Sequence, residues 1–103
     1  MDELYAALEA VIHSIETVTE LFYTQKETEG YDQLNKTIDG ISKSMELLLE
    51  DFEGEQVPDS YLEIINYLQE AFSAIEARDT ILLADILQYE IKERFEKIWY
   101  EIR

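Results

Sequence analysis

The chain contains no cysteine, so neither a disulfide framework nor a thiolate metal centre is available to it. One proline and three glycines are too few for the many reversals of a small β-sandwich or barrel. Basic residues are scarce as well: eight Lys and Arg stand against 24 Asp and Glu, a formal net charge of −16. A field of that sign repels phosphate backbones and anionic lipid surfaces, so neither nucleic acid nor a membrane is expected as a partner. No apolar run approaches the roughly 20 residues of a membrane span, and the start Met1-Asp2-Glu3 is acidic where a secretory leader carries positive charge. The expected location is cytoplasmic.

What is present is periodic. At 103 residues and 47% hydrophobic content, the chain fits one helical domain with a sizeable core. Leu4, Leu8, Val11, Ile15, Val18 and Phe22 recur at steps of four and three, along one side of a helix over residues 2–26. Tyr31, Leu34, Ile38, Ile41, Met45, Leu48 and Phe52 repeat the rhythm, predicting a helix over 31–53 with Glu29-Gly30 before it and Gly54 after it. Ser60 and Glu63 have the spacing of a capping box behind Pro58, and the helix they open, over 60–77, is expected to bury Tyr61, Ile65, Leu68, Phe72 and Ile75.

Continued past Ile75, that stripe meets Asp79, Leu82, Ile86 and Tyr89, then Glu93 and Glu96, so charge interrupts it. A stronger series, Ala84, Leu87, Ile91, Phe95, Ile98 and Ile102, lies on the other side. Only a turn near 77–80 lets both face one core, with Asp79 or Thr80 as the cap of a last helix over 80–102. The fold expected is all-α, a four-helix bundle of two antiparallel αα-hairpins over residues 1–103. The acid excess is uneven. Residues 1–77 hold 18 acids and three bases, whereas 78–103 hold six and five, which makes the last helix the easiest to surround. Gly40 and Ser44, with Thr37 beside them, form a small-residue patch where another helix can approach, and packing is the role expected of Gly40.

Groups that could carry chemistry are few. His13, the only histidine, has Glu9 four residues before it and Glu16 three after, a spacing that on a helix could bind a divalent cation. A ferritin-like centre needs Glu-x-x-His on two helices and two further glutamates. His13 also lies about 160° round the helix from Ile15, on the solvated side. A solvated histidine is the expected reading, with Glu9, His13 and Glu16 as the metal-binding alternative. A phosphotransfer role fits poorly, because Glu16 puts negative charge where an incoming phosphoryl group needs positive. The acidic run Glu50–Glu55 lacks the alternating ligands of a calcium loop. No nucleophile stands with a base and an orienting group, no cofactor is implied, and the chain is not expected to be an enzyme.

The last helix is apolar on two sides, the second being Leu82, Ile86, Tyr89 and Tyr100. Either its neighbours cover both sides, or the second is a surface for another protein: a second copy in a homodimer, or a helical segment of a different chain. The segment Ala77-Arg78-Asp79-Thr80-Ile81-Leu82-Leu83-Ala84-Asp85-Ile86-Leu87-Gln88-Tyr89-Glu90-Ile91 resembles the C-terminal signature of a small all-helical family of uncharacterised proteins from Gram-positive bacteria. Its Leu-Leu-Ala-Asp-x-Leu-x-Tyr-Glu core carries the likeness, and the segment from Gly30-Tyr31 to Ile41 is weakly similar. The resemblance implies a helical hairpin with a turn before Thr80, and assigns no activity. Size and architecture are also similar, more loosely, to small helical chaperones that offer an apolar groove to a client segment. The function expected is a non-enzymatic protein-interaction module.

Overall fold

A computed structural model describes residues 2–52 and 56–102. Four helices make up the fold, and no strand occurs among the described residues. They are α1 (Asp2–Tyr23), α2 (Glu27–Asp51), α3 (Asp59–Glu76) and α4, which runs as α-helix over Thr80–Asp85, widens to a π-helix over Ile86–Ile91 and returns to α-helix over Lys92–Ile102. This is the all-α four-helix bundle of two hairpins that the periodicity predicts. Its core joins the stripes of α1 (Leu4, Leu8, Val11, Ile15, Val18, Phe22) and α4 (Leu87, Ile91, Phe95, Ile98), together with Leu34, Ile41 and Leu48 of α2. Backbones approach closely between α1 and α2, between α1 and α4, and between α3 and α4. The remaining side, between α2 and α3, is the loosest.

The first hairpin turn is tighter than the glycine positions suggest, and the second falls at 77–80 as the phase of the two stripes predicts. α1 ends at Tyr23 rather than near 26, and α2 begins at Glu27 rather than 31, so Gly30 lies inside a helix instead of before it. Gln25 adopts φ 63, its N–H donates to Phe22 O (3.1 Å), and Lys26 N–H donates to Leu21 O (2.8 Å). These are the paired bonds of a Schellman cap. The turn between α3 and α4 repeats them: Arg78 has φ 54, with Arg78 N–H to Ile75 O (3.0 Å) and Asp79 N–H to Ala74 O (3.0 Å). Non-glycine residues hold both left-handed positions, at a cost of about 1–2 kcal/mol each. Gln25→Gly and Arg78→Gly are therefore each expected to raise stability by about 1 kcal/mol, read as a higher denaturation midpoint at unchanged slope.

Asp79 caps α4, its carboxylate accepting from Leu82 N–H at 3.1 Å. The capping box expected at Ser60 and Glu63 does not form. α3 starts at Asp59 with Pro58 at its N-cap, Ser60 is buried, and Glu63 instead faces Arg94. Gly54 and the acidic stretch Glu53–Glu55 lie outside the described residues.

The α1–α2 contact is built from small groups. Gly40 sits against Val11, Ser44 Oγ donates to Ala7 O (3.3 Å), and the Ser14 and Thr37 hydroxyls bond at 2.7 Å with Gln33 Nε2 donating to Ser14 Oγ (3.1 Å). Short side chains bring the backbones together, and their hydroxyls find partners within the interface.

Candidate functional site

The second side of α4 divides in the structure. Leu82, Tyr89 and Tyr100 are 47%, 58% and 65% exposed, whereas Ile86 is 7% exposed and belongs to the core. The π-helix is the reason. In its wider turn Lys92 N–H reaches Leu87 O, five residues back, and Ile86, Leu87 and Ile91 all turn inward. The same widening keeps Leu87, Ile91 and Phe95, spaced by two successive steps of four, on one face.

The exposed side chains alternate with charge. Asp85 lies between Leu82 and Tyr89, and accepts a hydrogen bond from the Tyr23 hydroxyl at the end of α1. Burial, the hydrogen bond to Asp85 and the charge of Asp85 together hold the Tyr23 phenol far above its ordinary value. Further along, Lys92 Nζ stands 3.8 Å from Glu16 Oε2 and 3.9 Å from Glu96 Oε1, and Trp99 and Tyr100 meet edge to face with centroids 5.1 Å apart. The border of α1 and α4 is thus a strip in which aromatic and aliphatic groups are set among ion pairs.

His13 is on that strip. It is exposed, and it shares a shallow depression with Glu9, Ile12, Glu16, Glu96, Trp99 and Tyr100. Glu9, His13 and Glu16 therefore lie along one exposed side of α1, but Lys92 occupies the vicinity of Glu16. No three acidic or histidine groups among the described residues come together as a set able to hold a metal ion.

A second surface lies on α3, where the sequence reading places core. Tyr61 is buried and Leu68 and Ile75 are half-buried, but Ile65 is 39% and Phe72 is 48% exposed. The face turned inward carries Ile64, Ala71 and Ala74. Arg94 of α4 marks the edge of α3 that packs on α4. Its guanidinium lies 4.5 Å over the Tyr67 ring and 3.4 Å from Glu63 Oε2, and within α4 it pairs with Glu90 Oε1 at 3.0 Å. By the helical period, Ile65 and Phe72 then point roughly opposite, away from α4. Alanine rather than a large side chain at 71 and 74 allows the close approach to α4.

A cleft of about 610 Å³ opens at the α2–α3 border, lined by Thr28, Tyr31, Asp32, Ile75, Glu76 and Arg78. The Tyr31 ring meets Phe22 edge to face (centroids 5.3 Å apart), and its hydroxyl oxygen is enclosed with no hydrogen-bond partner among the described residues. The nearest sequence signal for this surface is the heptad spacing of Tyr61, Ile65, Leu68, Phe72 and Ile75, which marks an apolar stripe without saying which neighbour covers it.

Fold and surfaces together define a small helical bundle that carries apolar side chains outside its core on two borders. The chain belongs to the family described as Domain of unknown function (DUF8042), whose model matches residues 1–99. No curated protein and no solved structure matches it. Among the described residues, no helix is long and apolar enough to cross a membrane.

Proposed function

We propose that the chain is a non-enzymatic protein-interaction module that pairs with a second copy of itself through the outer side of α4. The observation that carries this reading is the exposure of Leu82, Tyr89 and Tyr100 on one bundle helix. Large aromatic groups held on a rigid element, as Tyr89 and Tyr100 are here, are the usual anchors of an interface. Charge supports the choice of α4, because residues 78–103 are nearly balanced and two copies repel each other least there. Ile86, as a core residue, has no part in the surface. A chaperone-like role, in which the same surface holds a helical client, is the nearest variant of this reading. A cytoplasmic setting in a Gram-positive bacterium belongs to the same proposal and rests on the acidic composition and on the resemblance of residues 77–91.

The metal-binding alternative gains no support from the positions of Glu9, His13 and Glu16, given the ion pair between Lys92 and Glu16.

Sedimentation velocity on the wild type and on Leu82→Glu/Tyr89→Glu tests the proposal. Both sites are exposed, so the variant is expected to keep its helical circular dichroism and to sediment as a monomer at concentrations where the wild type associates. A folded variant with unchanged association, or a wild type that is monomeric throughout, contradicts it.

A further inference from the structure

We propose that two copies of the chain pair their α4 helices antiparallel about a two-fold axis, with Lys97 of each copy set against Glu93 of the other. This pairing rests on the self-association proposed above and gives it an orientation and a register. On the last α-helical stretch of α4, Glu93, Lys97 and Tyr100 follow at steps of four and three, so they share one side of the helix. Tyr89, in the π-helix, stands four residues before Glu93, and all four side chains are exposed. Ile91, Phe95 and Ile98 take the opposite side into the core. The outer row of α4 thus has a tyrosine at each end and one charge of each sign between them.

Charge fixes the orientation. The bases on either side of the row are already matched within the copy: Lys92 lies 3.8 Å from Glu16 and 3.9 Å from Glu96, and Arg94 lies 3.4 Å from Glu63 and 3.0 Å from Glu90. Neither Glu93 nor Lys97 takes part in an ion pair among the described residues. Two parallel copies would set Glu93 against Glu93 and Lys97 against Lys97, like charge facing like at both positions. Two antiparallel copies centred at the level of Phe95 set Glu93 against Lys97 twice, because a two-fold axis repeats every contact it makes.

The same register serves the aromatic ends. Tyr89 and Tyr100 stand six and five residues from Phe95, so the antiparallel pairing brings Tyr100 of each copy beside Tyr89 of the other. Leu82 stands 13 residues before Phe95, whereas only eight follow Phe95, so Leu82 lies past the end of the partner's helix, at the rim of the contact. Exposed ion pairs act through the choice of register more than through affinity, and that is the part Glu93 and Lys97 take here.

Sedimentation velocity over a concentration series compares the wild type with Glu93→Lys, Lys97→Glu and the exchange variant Glu93→Lys/Lys97→Glu. Circular dichroism confirms that each is folded, as the exposure of both sites leads one to expect. Glu93→Lys is the decisive single change. It takes each copy from −16 to −14, one negative charge lost and one positive gained, so general repulsion alone would tighten association. The pairing predicts the reverse, a dissociation constant raised about tenfold as two attractions become two repulsions. Lys97→Glu is expected to weaken association at least as much. The exchange variant, at −16 again with both pairs rebuilt in reverse, is expected to return to within about threefold of the wild type. In wild type mixed from two isotopic forms, a zero-length carboxyl–amine cross-linker is expected to join Lys97 of one form to Glu93 of the other, a readout that needs no substitution. Three results overturn the pairing while leaving self-association in place: Glu93→Lys that associates as well as the wild type or better, an exchange variant as weak as the single ones, or links between copies that omit Lys97 and Glu93. A wild type that is monomeric at every concentration overturns self-association and the pairing with it.

Discussion

Phe95→Ala is expected to lower unfolding free energy by about 3–5 kcal/mol, whereas Phe72→Ala costs about 1 kcal/mol or less. The same atoms are removed in both. Phe95 is fully buried among the core residues of α4, so truncation forfeits its transfer energy and leaves a cavity that close-packed neighbours fill only in part. Phe72, half in water already, leaves no enclosed space behind. Urea denaturation of the two variants, at unchanged slope, reads the difference directly. Were α3 rotated to bury the stripe expected from the sequence, the two costs would be alike.

The second contrast concerns two glycines of α2 with opposite expected signs. A methyl group at residue 30 would stand 2.6 Å from Phe22 Cε1 and 2.7 Å from Cδ1. Phe22 is buried and braced edge to face by Tyr31, so its ring has no free direction in which to yield. Gly30→Ala is expected to destabilise by about 1–3 kcal/mol, an overpacking cost larger than the gain in helix propensity. At residue 40 the methyl group would meet Val11 Cγ2 at 3.5 Å, an ordinary contact. Gly40→Ala is accordingly expected to stabilise by about 0.5–1 kcal/mol through reduced freedom of the unfolded chain. Thermal or denaturant melts of the two variants, run side by side, check the signs.

The helical class, the four elements and most of the core were legible because large apolar residues recur at steps of three and four. Every member of the α1 stripe is buried, as are Leu87, Ile91, Phe95 and Ile98. The α3–α4 turn was legible from the phase of the stripes, with Asp79 as its cap, whereas the α1–α2 turn was harder, since Gln25 takes its left-handed position while Gly30 serves close packing on Phe22. Two further departures have separate origins. Periodicity weighs large side chains, but backbone approach is governed by small ones, and Ala71 and Ala74 on α3 win the inner face over Ile65 and Phe72. On α4 the π turn changes the period itself, which carries Ile86 inside. A residue-by-residue reading that assumes 3.6 residues per turn has no means of registering such a change.

The candidate surfaces were legible in part. Leu82, Tyr89 and Tyr100 stand out by their position opposite the core series, and they do remain in solvent. The charged groups between them, Asp85, Lys92 and Glu96, make this a mixed strip rather than a continuous apolar stripe, with Tyr23 and Glu16 tying it to α1. The exposed stripe of α3 was hidden because it looked like core. Its recognition requires the contacts that Arg94, on another helix, makes with Tyr67 and Glu63.

Hydroxyl-radical footprinting of the dilute monomer tests the central claim most directly, because it reads side-chain exposure without any substitution. The account predicts rapid modification of Phe72, Tyr89 and Tyr100 together, with Phe22 and Phe95 protected until the chain unfolds. Protection of Phe72 and Tyr89 to the level of Phe95 in that monomer would contradict it.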